Sequence, residues 1–358
     1  MSPEPLSTEL FGGVYTGRRV LVTGDTGFLG GWTTRWLIAL GAEVAGFSRG
    51  GGANDLAPPP TVARYRGDLT DQVRVAAVVD DFAPEVVIHL AGAATVAAGF
   101  RSPLDTFAVN VTGTAALLHA ALRQPATRSV AIAGTPALVR LDDVLELNPY
   151  PASKVAVEAV VGAYAHPRTQ TEAGRATPLG VGVARPGVML GGDWAEGRLL
   201  ADVVRNVRAG EPVVLRAPAA VRPWQHVLEG VGGLLLLGSR LFTGEAPRRR
   251  YDFGRVDPAT AEPVVDVVTR FLAALGVPEW PVRIEGQGGD RVELGAANAA
   301  VDLGWTPVWD LDQALRAAVR WYEAADAQAV AAAMDGAVRG YAETAACSWG
   351  RPPASAAA

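Results

Sequence analysis

Cysteine is almost absent: the 358 residues hold one, Cys347. A single cysteine makes no intramolecular disulfide, and no metal cluster can be built around it. The sequence therefore points to a reducing, cytoplasmic setting and to no bound metal. No charged-then-apolar leader pattern is present in MSPEPLSTELFGG. Long apolar runs are missing as well. The longest, around Leu234–Leu237, is far too short to cross a bilayer. The expectation is a soluble protein with no membrane partner. Charge of one sign is also scarce, since the net charge is only −5. That excludes a basic nucleic-acid footprint, and an anionic ligand would have to be met by local arginines. No internal repeat is visible.

What is present is a chain that is 49% apolar and 19% charged, close to globular averages. Its length suits one large α/β unit plus a smaller lobe, or two modest domains. Short β-branched runs predict strands at Arg19–Thr23, Glu43–Phe47, Val86–Leu90, Ser129–Ala133 and Gly180–Ala184. A further strand, from Val62 to Arg66, leads into GDLTD. Helical spacing fills Leu29–Leu40, Gln72–Phe82, a long helix Asp105–Leu122, and Pro151–Tyr164. The alternation predicts a doubly wound parallel sheet of the Rossmann type, with a smaller mixed α/β C-terminal substrate lobe. The dinucleotide-binding domain is expected over 1–186, with segments of about 225–270 returning to it. The substrate lobe is expected mainly over 187–345, and SWGRPPASAAA, with 346–358, reads as a flexible tail.

Gly24, Gly27 and Gly30 form G-x-x-G-x-x-G between the first strand and the first helix. Glycines let the backbone turn tightly and approach a pyrophosphate, and the helix N-terminus presents free N–H groups. Phe28 and Leu29 complete that loop. The other reading is a plain tight turn. Asp68, with Leu69 beside it, lies after the third strand and can accept from an adenine amino group or cap the next helix. Leu90, Ala91 and Gly92 follow the fourth strand and are small enough to let a cofactor lie on the backbone. His89 reads as a packed histidine. The second strand ends in Phe47-Ser48-Arg49, without the acidic residue that grips a ribose 2′-hydroxyl. Arg49 can meet a 2′-phosphate or be a solvated loop residue, so NAD and NADP both stay open.

Tyr150 and Lys154 stand at i and i+4 in YPASK and share one helix face. A phenol titrates near pH ~10, too high for a base at neutral pH, and a nearby ammonium lowers that value. The phenolate can then take a hydroxyl proton while a hydride leaves the same carbon for a nicotinamide. The alternative is a packed tyrosine with a solvated lysine.

These motifs resemble the extended short-chain dehydrogenases. Within them the chain is similar to the CDP-glucose 4,6-dehydratases over nearly its whole length. The matching segments include GRRVLVTGDTGFLGGW, NVTGT, YPASK, GGDWAEGRLLADVVR, LRAPAAVRPWQHVLEG and LGWTPVWDLDQALRAAVRWY. The resemblance implies NAD or NADP as cofactor, a nucleotide sugar as substrate, and a homodimer formed through the helices Asp105–Leu122 and Pro151–Tyr164. It also implies that Trp194, Arg198, Arg216, Arg222 and His226 hold the nucleotide diphosphate. Arginine forks match phosphate oxygens and tryptophan can stack on a base, although a packed loop with surface arginines would read the same.

The sequence also departs from that family. A 4,6-dehydratase needs a general acid and a base for its elimination step, and the family carries an Asp and a Lys after the fifth strand. Here the stretch is Ala133-Gly134-Thr135-Pro136-Ala137. Thr135 keeps a hydroxyl that would complete a Thr–Tyr–Lys catalytic set. Ala93–Ala97 replaces a polar run, Arg185-Pro186-Gly187-Val188 lacks an expected asparagine, and Asp25 and Leu29 replace a His and a Lys. Asp142, Asp143 and Glu146 lie in a shortened loop as substitute acids or as solvated residues. The end facing the reacting sugar has lost polar groups, so the substrate is expected to be less hydroxylated than glucose or differently placed. Three functions fit. One is a CDP-glucose 4,6-dehydratase-like enzyme. A second is an oxidoreductase, epimerase or decarboxylase on another nucleotide-linked sugar or nucleoside. The third is a redox-silent cofactor-binding protein.

Overall fold

The computed structural model describes residues 8–50, 62–135, 148–254, 261–286, 288–289, 291–292 and 298–349. Its large sheet contains strands β1 (Arg19–Thr23), β2 (Glu43–Ser48), β3 (Ala63–Arg66), β4 (Val86–His89), β5 (Ser129–Ala133) and β6 (Gly180–Pro186). The short strands β7 (Val188–Leu190), β8 (Val213–Leu215), β9 (Val221–Arg222) and β10 (Trp224–His226) follow, then β11 (Arg250–Phe253), β12 (Glu262–Pro263) and β13 (Val282–Ile284). Seven strands make one sheet in the order β11-β6-β5-β4-β1-β2-β3. Every pairing in it is parallel. The order reverses between β1 and β4, which opens a crevice at the carboxyl ends of those strands.

Side-chain alternation explains why the sheet is covered on both faces. Val20 and Val22 join one apolar cluster with Trp32 and Trp36, while Leu21 joins another with Phe47, Leu117 and Val161. The flanking helices are α1 (Phe28–Ala39), α2 (Gln72–Phe82), α3 (Val96–Arg101), α4 (Pro103–Phe107), α5 (Thr114–Arg123) and α6 (Pro149–Tyr164). The segment after β10 returns to the sheet: the helix Val227–Thr243 packs on β5 and β6, and β11 adds the last strand.

The expected long helix Asp105–Leu122 is interrupted. A π-helical turn, Ala108–Gly113, separates α4 from α5. The extra residue per turn reorients Asn110, which is buried at 2% exposure. Helical periodicity alone does not reveal such a bulge.

The C-terminal end also differs from expectation. The helix Ala327–Ser348 runs through residues 346–348, and Trp349 docks with its indole N–H donating to the carbonyl of Thr306 at 2.8 Å. Residues 350–358 lie outside the described residues. Glu229 is wholly buried in the helix Val227–Thr243. Its carboxylate accepts from the backbone N–H groups of Val308 and Trp309 at 2.8 and 2.7 Å and from the Tyr341 hydroxyl at 2.5 Å. It thus ties two C-terminal segments to the sheet-packing helix. Among the described residues, no helix is long and apolar enough to cross a membrane, and no group of metal-ligating side chains is gathered.

Candidate active site

A cleft of about 750 Å³ lies over the carboxyl ends of β1, β4 and β5. One end is made by the turn after β1. Gly24 adopts φ +74°, a conformation that favours glycine. A Cβ there would come within 2.8 Å of the Ala91 nitrogen, and one on Gly30 within 2.0 Å of the Gly24 carbonyl. Gly27 occupies the N-cap of α1 and brings no side chain to bond the first N–H groups. These groups form an uncapped helix end facing an open cleft, which fits a pyrophosphate. Phe28, Leu29, Ser48, Arg49, Asp68, Leu69, Leu90, Ala91 and Gly92 line the same end.

Asp68 does not cap α2. Its carboxylate accepts from the N–H and hydroxyl of Thr70 at 2.9 and 2.7 Å, which holds its pKa below the usual carboxylate range. Asp71 caps α2 instead, accepting from the Arg74 N–H at 2.9 Å. His89 is packed beneath the site, with its ring nitrogens 2.6 Å from the Thr23 hydroxyl and 2.8 Å from that of Thr114. Burial pushes its pKa down to about 3, and the charge of Lys154 adds to the shift.

The centre of the cleft carries Thr135, Tyr150 and Lys154. Asn148 caps α6 by accepting from the Tyr150 N–H at 3.1 Å, and Pro149 opens the first turn. Tyr150 therefore sits in that turn with Lys154 one turn later on the same face. Gly99 lets α3 lie against Tyr150, since a Cβ there would be 3.0 Å from the Tyr150 nitrogen. Asn110, which the sequence reading did not single out, locks this helix to the loop after β4. Its amide donates to the Ser153 hydroxyl at 2.8 Å, and its Oδ1 accepts from the Ala93 N–H at 2.7 Å. Its only sequence signal was its place in NVTGT.

The electrostatics differ from the simple tyrosine–lysine picture. Burial raises the Tyr150 pKa, while a hydrogen bond with Thr135 and then the charge of Arg198 pull it back. Lys154 is itself pushed down to about 8 by burial. Its ammonium donates to the Ala133 carbonyl at 3.1 Å. The side chains that oppose the burial of the phenol are thus Thr135 and Arg198.

Arg198 and Arg222 line the cleft opposite the glycine turn. Arg198 is held by Asp193 at 3.3 Å. The other three residues expected at the nucleotide are elsewhere. Trp194 packs edge-on against Tyr322 at a centroid distance of 5.0 Å and lies under Arg208. Its large apolar ring is consumed by the aromatic cluster of the lobe. His226 is wholly buried between Trp32 and Trp309 and caps the helix Val227–Thr243 by accepting from the Leu228 N–H at 3.2 Å. Arg216 is exposed at the end of β8 and does not line the cleft. Asp142, Asp143 and Glu146 lie outside the described residues, as do Pro136 and Ala137. The apolar lining of the cleft also includes Ala93, Ala94, Val109, Val188, Met189 and Ala195. Among the described lining residues the only carboxylate is Asp68, at the far end.

This arrangement has close counterparts. The chain is 29% identical over 335 residues to a CDP-glucose 4,6-dehydratase of Salmonella typhimurium, covering 87% of this chain and 92% of that one. It is 26% identical over 340 residues to a 3-beta-hydroxysteroid dehydrogenase of Mycolicibacterium neoaurum, covering 85% and 91%. A UDP-glucose 4-epimerase of Thermus thermophilus, solved in complex with NAD, superposes with a TM-score of 0.69 at 26% identity, covering 86% and 100%. The model of the NAD dependent epimerase/dehydratase family matches residues 20–253. The chain belongs to that family, and so to the enzymes of the extended short-chain dehydrogenase type that its glycine turn and YPASK segment resemble.

Proposed function

We propose that this protein oxidises a carbinol carbon of a CDP-linked sugar, as the first step of dehydratase- or epimerase-type chemistry. The observation that carries the reading is the Thr135–Tyr150 hydrogen bond, set beside Lys154 and Arg198 in one cleft with the glycine turn. Tyr150 takes the proton of the substrate hydroxyl. Thr135 fixes the phenol oxygen, and Arg198 favours its anionic form. Lys154, anchored on Ala133, places a cation between the phenol and the cofactor end of the cleft. NAD, when bound, supplies the hydride acceptor for the same carbon. Gly24, Gly27 and Gly30 admit its pyrophosphate, and Leu90, Ala91 and Gly92 form the floor. Arg222, with Arg198, meets the diphosphate of the nucleotide sugar.

The relative from Salmonella typhimurium supports the cytidine nucleotide. A second reading, a less hydroxylated alcohol, is favoured by the apolar residues that line the cleft and by the steroid dehydrogenase relative. Incubation with CDP-glucose and NAD decides between them. Formation of a 4-keto or 4-keto-6-deoxy product, abolished in Tyr150→Phe, is the expected result. No turnover of CDP-glucose, with oxidation of an apolar secondary alcohol, would replace the first reading by the second. We also propose a homodimer. An exposed apolar stripe supports it: Val96 and Phe100 on α3, and Leu104 and Phe107 on α4, the last two being 80% and 38% exposed.

A further inference from the structure

One buried acid takes no part in the chemistry above. Asp25, in the glycine turn, is 2% exposed. Its Oδ1 atom is buried without a hydrogen-bond partner. The side chain lies across β2 in space that exists only because residue 46 is glycine. A Cβ on Gly46 would stand 2.2 Å from Asp25 Oδ2. Burial raises the Asp25 pKa, and a hydrogen bond from the hydroxyl of Ser48, two residues further along the same face, followed by the charge of Arg64, pulls it back. Arg64 pairs with Gly46 across the β2–β3 ladder, so it belongs to the same face.

Ser48 lines the cleft, whereas Asp25 does not. Asp25 therefore works through Ser48. A serine whose O–H is committed inward to a carboxylate offers only lone pairs outward. A ribose hydroxyl has a proton to give to those lone pairs. A phosphate ester at neutral pH meets them with acceptors of its own.

The positive charges at this end are largely answered. Arg49 is 78% exposed and stands 3.9 Å from Asp68. Arg64 faces Asp25. Arg66, beside Gly50, and Arg74, whose Nε–H donates to the Arg66 carbonyl at 2.9 Å, are further cations there. We propose that Asp25, relayed by Ser48, is the specificity determinant that makes this site take NAD, with its free ribose 2′-hydroxyl, in preference to NADP. The acid that selects NAD would thus sit in the glycine turn, below the strand end, instead of at the end of β2.

Calorimetric titration with NAD and with NADP tests this without any turnover. The wild type is expected to bind NAD at least about tenfold more tightly. Asp25→Asn is expected to shrink that ratio by about tenfold, mainly through tighter NADP binding as Arg64 loses its counter-charge. Ser48→Ala is expected to weaken NAD by about fivefold without weakening NADP, because the lone pairs that accept from a ribose hydroxyl and oppose a phosphate are both lost. A wild type that binds NADP as tightly as NAD overturns the proposal. So does an unchanged ratio in an Asp25→Asn protein that unfolds at the wild-type temperature. If Asp25→Asn does not fold, Ser48→Ala decides: an unaltered NAD affinity overturns the relay.

Discussion

The ammonium of Lys154 reaches back across the cleft floor to the carbonyl of Ala133, 3.1 Å away, at the end of β5. This contact fixes the lysine before any ligand arrives. Burial there pushes its pKa from 10.5 down to about 8. The unfolded chain therefore holds this proton more tightly than the folded one between those two values. The lysine costs stability while protonated, and that cost fades as pH rises from about 8 toward 10.5. Lys154→Met should be at least as stable as the wild type at pH ~7, with the gap closing above pH ~8 in urea unfolding. Turnover in the same variant should fall by about 10²–10⁴. A variant that is less stable at neutral pH would contradict this account of the buried ammonium.

Thr135 and Arg198 are the side chains that counteract burial at the Tyr150 phenol. Thr135→Val and Arg198→Met should each raise its pKa. Ultraviolet difference titration against Tyr150→Phe isolates this one phenol from the other tyrosines. A rise of about one unit corresponds to ~1.4 kcal/mol of lost phenolate stabilisation. The pH at which turnover rises should move upward with it. If Arg198→Met weakens nucleotide binding and leaves the phenol unmoved, the arginine serves the diphosphate alone.

The sheet and the cofactor end were legible because both depend on local signals. β-Branched runs mark the strands from Arg19 to Ala184, and a glycine with φ +74° has few substitutes at Gly24. The substrate side was less legible because tryptophan, arginine and histidine serve packing as well as binding. Trp194 and His226 share the RPWQHV and GGDWA neighbourhood with Arg198 and Arg222, yet the fold turns the first two into aromatic clusters and the other two into the cleft. Asn110 was hidden because a π-helical turn leaves no mark in helical periodicity. In the sequence Asp25 stands only as a departure from the family pattern, because its burial over Gly46 is a contact between distant segments.

Two histidines make stability sensitive to acid. His89 and His226 are both pushed down to about 3, mainly by burial, with Lys154 and Arg320 adding positive charge nearby. Each is neutral when folded, so the unfolded chain binds more protons as pH falls below 6.5. Stability is lost from that point downward, and the loss continues toward pH 3. With both groups contributing, the slope should approach about 2.7 kcal/mol per pH unit near pH ~5. His89→Asn or His226→Asn should each halve the part of the slope seen between pH ~6.5 and ~5, where most carboxylates stay ionised. An unchanged slope in both variants would mean that neither ring is held neutral.

The stripe on α3 and α4 gives a test of assembly that is independent of chemistry. Leu104 is 80% exposed and Phe100 64%, and neither belongs to the monomer core. A charge there costs the folded monomer little. Leu104→Glu combined with Phe100→Glu should yield a monomer by light scattering, with an unfolding temperature within a few degrees of wild type at high dilution. A dimer that survives both charges would move the interface to another face.

Glu229 provides the sharpest prediction for the fold. Three donors from two C-terminal segments converge on its buried carboxylate. Glu229→Ala leaves the N–H groups of Val308 and Trp309 and the Tyr341 hydroxyl without their acceptor. Each orphaned donor costs about 1–3 kcal/mol, so a loss of roughly 3–5 kcal/mol is expected after partial relaxation. Glu229→Gln keeps one acceptor oxygen for the two backbone groups and turns its amide toward Tyr341, whose hydroxyl can accept. It should therefore recover more than half of that loss. Hydrogen exchange should show the damage first at the Val308 and Trp309 amides and along the helix Ala327–Ser348, while the β1 and β4 amides stay protected. Equal losses in the Ala and Gln variants would show that packing volume, and not the convergent hydrogen bonds, is what Glu229 contributes.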